Sequence, residues 1–352
     1  MRRLLALLFG VGAATLLAAG VELAYRRVET GRFELPRSAD QWALDPELLY
    51  RLNPENPETP RSFRGAAPAS PRRAAQRVVC LGESTTFGHG VGTGQAWPAA
   101  LGRELDRAGR DVEVINAGVP GYGSRQLQRR YAREIAALGA DVVVLYLGWN
   151  RTGALLDPDG FVPAGVPRPS EGALVSAWLR LQYALSHRSL LLRRALSRFA
   201  EIEAPLRPWR RDPFESAWVE DVRGLLAASE SHGQRALVVL YPALYHPGMT
   251  EPELALYRPR MWRQRAYQPE MLDELARKHE LLRALAAERG VPVVDLQGAL
   301  AGTTGVRRLA FFLDNMHPSV EGNRWVAGQL APQVAALLDP PEAGGRPDGA
   351  GR

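Results

Sequence analysis

Five short apolar runs recur along the chain, at Val78–Leu81, Val112–Ile115, Val142–Leu147, Ala236–Leu240 and Val291–Asp295, separated and followed by longer stretches with helical spacing. Those stretches are Trp97–Ala108, Gln126–Leu138, Glu215–Ser231, Glu270–Arg289 and Val320–Leu338. Runs that are apolar at successive positions suit strands buried on both faces, and a helix between consecutive strands makes them parallel. The pattern predicts an α/β chain, a three-layer α/β/α sandwich on a five-stranded parallel sheet, over residues 77–338. Residues 151–235 read as a helical insertion between the third and fourth strands. Its apolar stretch near Ala173–Phe199 suits a lid, a docking surface or one more packed helix equally well.

The flanks differ in kind from this core. From Leu4 to Tyr25 the chain is apolar with one charge, Glu22, and it is bracketed by Arg2-Arg3 and Arg26-Arg27. About 20 apolar residues cross a bilayer as a helix. Residues 1–27 are therefore expected to be a transmembrane signal anchor, with cleavage near Ala18-Ala19-Gly20 as the alternative. The anchor makes the membrane a partner through this helix, and either outcome places the catalytic part outside the cytoplasm, in a periplasm or at a cell surface. Residues 28–76 are proline-rich and read as an extended segment, partly ordered through Leu48, Leu49, Tyr50, Leu52 and Phe63. Residues 339–352 are rich in Pro and Gly and read as a disordered tail.

Composition removes several classes of function. Cys80 is the single cysteine, so no disulfide framework forms within the chain, and six scattered His offer no zinc-ligand spacing. The net charge of +6 is carried almost wholly by arginine, since Lys278 is the only lysine. Lys278 sits in Ala-Arg-Lys-His, which rules out a P-loop. Acidic residues interleave with most of the arginines, giving a solvated surface rather than a nucleic-acid footprint. Gly118-Val-Pro-Gly121-Tyr-Gly123 does not match G-x-G-x-x-G, and Pro120 interrupts the helix start a dinucleotide needs. No metal and no cofactor are expected.

In an open parallel sheet, ligands bind beyond the carboxyl ends of the strands. There the chain places Gly82-Glu83-Ser84-Thr85-Thr86-Phe87-Gly88, Asn116-Ala117-Gly118-Val119-Pro120-Gly121-Tyr122, and Gly148-Trp149-Asn150, with Asp314-Asn315-Met316-His317-Pro318 before the last helix. These four segments resemble the conserved blocks of the SGNH hydrolase superfamily, the GDSL esterases and lipases, over about residues 77–335. The resemblance implies the flavodoxin-like SGNH fold, a nucleophile at Ser84, oxyanion positions at Gly121 and Asn150, and an Asp314/His317 pair. Glu83 stands where the family has Asp before the serine, and Arg151 where it has Asp after the asparagine.

Residue chemistry points the same way. A serine hydroxyl needs an imidazole to take its proton, and a carboxylate to hold that imidazole in the right tautomer. Asp314 and His317 are spaced for a turn that aims the carboxylate at Nδ1 and leaves Nε2 for Ser84. Backbone amides of Ser84 and Gly121 and the Asn150 side chain are candidate donors to an oxyanion. His89 reads as a cleft residue, and Trp149 and Tyr241 lie on the ligand side of the sheet. The expected function is an exported serine esterase acting on a carboxylic ester, in a lipid or an acylated glycan. Acyl transfer to a cell-surface glycan and a catalytically silent binding module are the alternatives.

Overall fold

A computed structural model describes residues 2–30, 41–157, 160–163, 166, 177, 189, 212–258 and 269–339. Nearly all of the stretch expected to be helical at 173–199, and the tail from 340 on, lie outside the described residues. The chain divides into two compact units, Met1–Pro57 with Val162–Pro205, and Glu58–Phe161 with Leu206–Arg352.

In the first unit, Arg2–Thr30 form one helix of 29 residues that contains the apolar run. Leu16, Leu17, Val21 and Leu23 are exposed on it, and the side chains of residues 1–9 lie outside the described ones. Among the described residues, no helix is long and apolar enough to cross a membrane. Within the proline-rich segment, β1 (Trp42–Asp45) and β2 (Leu49–Leu52) pair as an antiparallel hairpin, Trp42 opposite Leu52 and Asp45 opposite Leu49. The Asp45 carboxylate accepts from the Glu47 and Leu48 amides at 3.0 Å each, closing the turn. Trp42 packs edge-on against Tyr50, with ring centroids 5.3 Å apart.

The second unit holds the sheet: β3 (Gln76–Gly82), β4 (Val112–Gly118), β5 (Val142–Tyr146), β6 (Arg235–Leu240) and β7 (Val293–Asp295), in the order β4-β3-β5-β6-β7 with every pairing parallel. All five residues of β5 are buried, as a strand covered on both faces must be. The helices Trp97–Arg107 and Val320–Leu338 pack together on one face, and Ser124–Arg130, Glu215–Ser231 and Glu270–Ala287 make the other layer. Helical spacing accounts for the buried stripes. Trp97, Leu101 and Leu105 share one face of the first helix, and Val326, Leu330, Val334 and Leu338 one face of the last. The segment expected as a single helix over Gln126–Leu138 is α-helical to Arg130, then a π turn over Tyr131–Ile135 and a 3-10 turn over Ala136–Leu138.

Strand order locates the site. The chain runs from β3 outward to β4, then returns across β3 to β5, so the loops after β3 and β5 diverge at a topological switch point. Ser84 follows β3 and Asn150 follows β5.

Not every arginine is solvated. Arg130 and Arg308 are buried, and their guanidinium groups donate to backbone carbonyls: Ala117 and Ser62 for Arg130, and Leu244, Ala243 and Leu300 for Arg308. Five fixed donors let a planar guanidinium satisfy several loop carbonyls at once. The lone lysine is buried too. Lys278 pairs with buried Asp212 at 2.8 Å and lies 4.1 Å from the centre of the Trp218 ring.

Candidate active site

Ser84 opens a four-residue helix, Ser84–Phe87, immediately after β3. It is buried, at 8% exposed. Gly118, at the end of β4, admits this helix: a Cβ there would lie 2.2 Å from the Phe87 nitrogen. Asn116, two residues earlier, ties the strand to the same helix. Its side-chain amide donates to the Thr86 carbonyl at 2.9 Å, while its oxygen accepts from Gly118 N at 2.9 Å.

The Asp314–His317 turn is set by local hydrogen bonds. One carboxylate oxygen of Asp314 accepts from the amides of Met316 at 2.9 Å and His317 at 2.7 Å, an Asx turn. Leu313 N donates to the His317 carbonyl at 2.8 Å, and Phe312 bridges to Pro318. Buried Asn323 holds the exit: its amide donates to the Pro318 carbonyl at 2.9 Å and its oxygen accepts from Trp97 N at 2.8 Å. The other Asp314 oxygen lies 2.7 Å from His317 Nδ1, and His317 Nε2 lies 2.8 Å from Ser84 Oγ. Next to a carboxylate, Nδ1 carries the proton, so Nε2 accepts from the serine hydroxyl. Burial pushes the Asp314 carboxyl up, but the hydrogen bonds and charge of His317 outweigh it and hold the group below its ordinary range.

The two other expected residues lie in the loops after β4 and β5. Gly121 has φ +79°, a left-handed conformation that favours glycine, in the loop after β4. Asn150 follows β5, and its side-chain amide donates to the Tyr122 carbonyl at 3.1 Å. A carboxamide nitrogen carries two hydrogens, so this bond orients the group and leaves a second donor. His89 lies over His317 with ring centroids 4.8 Å apart, and Trp149 packs on Tyr241 at 5.0 Å. Among the described residues, no group of His, Cys, Asp and Glu could hold a metal ion. A cavity of about 430 Å³ beside β7, lined by residues including Leu272, His279 and Arg308, contains none of the five expected site residues.

Glu83 is the residue whose part sequence reasoning missed. Its side chain is fully buried and turned towards the loop after β5, where it accepts from Gly148 N at 2.9 Å and Asn150 N at 3.2 Å. Burial pushes its carboxyl up to about 8, against the pull of the amides of Gly148, Asn150 and Trp149 and the charge of Lys278. A carboxyl that keeps its proton when folded and loses it when unfolded makes stability fall with rising pH between the two values. The Glu83 contribution to stability is expected to decline with rising pH by about 1.4 kcal/mol per unit within that window and to level off above it, while buried His279, held down to about 4, contributes the opposite slope below its ordinary value. Thermal unfolding from pH 5 to 9 checks this: the stability of the natural chain relative to Glu83→Gln should fall with rising pH, and a difference that does not change with pH would show that Glu83 does not titrate there.

The model of the GDSL-like lipase/acylhydrolase family matches residues 80–325, about seven-tenths of the chain, a span that contains the five candidate residues. The chain belongs to this family. It is an ester-hydrolysing enzyme of the SGNH type. No curated protein matches it. Among solved structures it is similar to TesA, at 18% identity over 75% of this chain and all of that one, with a TM-score of 0.44. It is also similar to Axe2, an acetylxylan esterase from Geobacillus stearothermophilus, at 14% identity over 76% and 96% of the two chains, with a TM-score of 0.47. The lipase/acylhydrolase from Enterococcus faecalis is 18% identical over 76% and 100%, with a TM-score of 0.44.

Proposed function

We propose that this hydrolase cleaves a carboxylic ester through an acyl-enzyme on Ser84, with His317 as the base and Asp314 as its orienter. The observation that carries the reading is His317, with Asp314 2.7 Å from one ring nitrogen and Ser84 2.8 Å from the other. Ser84 Oγ attacks the ester carbonyl while His317 Nε2 takes its proton. The oxyanion forms where the amides of Ser84 and Gly121 and the Asn150 side chain can donate to it. Collapse expels the alcohol, which leaves with the proton from His317. Water then attacks the acyl-enzyme, His317 takes a proton from it, and Ser84 recovers that proton as the carboxylic acid departs.

The same reading has the enzyme exported and held at a membrane. Its support is the apolar run Leu4–Tyr25 between two arginine pairs and the exposed Leu16, Leu17, Val21 and Leu23. The substrate is then an ester near that surface, in a lipid or an acylated glycan. One experiment tests site and location together. Full-length protein made in a bacterial host is fractionated, washed with salt, treated with a fluorophosphonate and assayed on esters of graded chain length. Labelled, active protein is expected in the membrane fraction. Labelling without sedimentation would defeat the anchor, absence of both labelling and turnover would defeat the serine mechanism, and ester loss only with an added glycan would make the enzyme a transferase.

A further inference from the structure

Glu83 is joined through its main chain to Ser84 and through its side chain to the loop that carries Asn150. Its carbonyl oxygen accepts from Phe87 N at 2.9 Å, closing the short helix that presents the serine. Its carboxyl reaches Gly148 N at 2.9 Å and Asn150 N at 3.2 and 3.3 Å, beyond the end of the adjacent strand. The two anchoring points follow the ends of neighbouring strands, since Gly82 at the end of β3 pairs with Tyr146 at the end of β5. Asn150 is thus fixed twice, by its backbone on Glu83 and by its side chain on the Tyr122 carbonyl. The side chain of Glu83 is 0% exposed, so water does not compete for these bonds.

We infer that Glu83 is a positioning residue for the oxyanion hole: it sets the distance between the Ser84 amide and the Asn150 carboxamide, and so acts on turnover through Asn150. This rests on the hydrolase reading above. Oxyanion donors act when aimed at an atom that is charged only in the transition state, and a displacement of a few tenths of an ångström weakens them there while leaving ground-state binding alone. Replacement by an apolar side chain of similar size would leave the Gly148 and Asn150 amides without this acceptor, and the loop would move to find one.

The test is a double-mutant cycle on an ester substrate, with kcat and KM measured separately. Asn150→Ala removes the donor and is expected to lower kcat by about a hundredfold. Glu83→Met is expected to lower kcat by about tenfold with KM within about twofold, and Glu83→Gln, which keeps one carbonyl acceptor, by about threefold. In the Asn150→Ala background either change should cost little more, because a displaced donor cannot be lost twice. Equal factors in both backgrounds, or an unchanged kcat in Glu83→Met, would overturn the inference. Should Glu83→Met fail to fold, Glu83→Gln carries the cycle by the same criterion. Amide hydrogen exchange at Gly148 and Asn150 separates the two ways of failing. Faster exchange in the variant with an inactive natural enzyme sinks the hydrolase reading and leaves the hold on the loop. Unchanged exchange with an active natural enzyme sinks the positioning.

Discussion

Ser84→Ala and His317→Ala are each expected to lower ester turnover by about 10⁵-fold or more, because each removes one half of a single proton-transfer unit. Without the hydroxyl there is no acyl-enzyme. Without the imidazole the hydroxyl keeps its proton and attacks as a neutral alcohol. The two losses should be alike in size and should not multiply when combined, since either alone stops the same step. Residual activity over water would come from oxyanion donors acting on a directly attacking water. The fold should hardly notice the serine change, because the Ser84 side chain is small, sits at the cleft and bonds to His317. His317 is 4% exposed and packs under His89, so its removal leaves a small void and a modest loss of thermal stability. Fluorophosphonate labelling, single-turnover rates and melting curves on the two variants and their combination make the check. Folded Ser84→Ala that still takes up the probe at the natural rate would move the nucleophile elsewhere.

The architecture was legible because burial on two faces leaves a plain trace. A strand covered by helices on both sides is apolar at successive positions, and Val142–Tyr146 shows this for all five of its residues. The final helix was legible to the residue, Val320–Leu338, because Ser319 caps its start, with its hydroxyl accepting from Gly322 N at 3.1 Å. What escaped reading was short or depended on distant partners. The Trp42–Leu52 hairpin sits among prolines, and its strands have four residues each, too few for alternation to stand out. The π turn at Tyr131–Ile135 has no sequence signal of its own.

The site was legible in its parts and not in its bracing. Ser84, Gly121, Asn150, Asp314 and His317 were candidates because they follow strand ends or lie in a three-residue turn before the last helix. The structure joins Ser84, His317 and Asp314 in one hydrogen-bonded line. Glu83 was visible as a departure from the family pattern, but its partners lie 65 and 67 positions away, a distance no local spacing reveals. Lys278 and Asp212 were equally hidden. A lone lysine in an arginine-rich chain looks incidental until its partner is seen buried beside it. Arg308 follows the same logic, since a guanidinium that serves backbone carbonyls has no charge pattern to announce it.

Asp314→Asn is expected to lower turnover by about 10⁴-fold, by analogy with other serine triads, and the geometry says why a nearly isosteric change should cost so much. One carboxylate oxygen of Asp314 accepts from the Met316 and His317 amides, and the other faces His317 Nδ1. In asparagine only one of the two atoms is an acceptor. The two backbone donors draw the amide oxygen to their side, which leaves the NH₂ facing His317 Nδ1. A donor there requires Nδ1 to be the unprotonated nitrogen, so the proton moves to Nε2. Nε2 then donates to Ser84 Oγ and cannot take its proton. The loss is therefore one of tautomer and not of position, and it predicts a signature that simple truncation lacks. Asp314→Asn should keep the turn, bind substrate with little change in KM, and lose kcat. Asp314→Ala, which imposes no tautomer, should lose the turn's hydrogen bonds and stability instead, and retain more activity per folded molecule. Nitrogen-resolved NMR of His317 reads the tautomer directly. Asp314→Asn with Nδ1 still protonated, or with turnover within tenfold of the natural enzyme, would show that Asp314 does not orient His317.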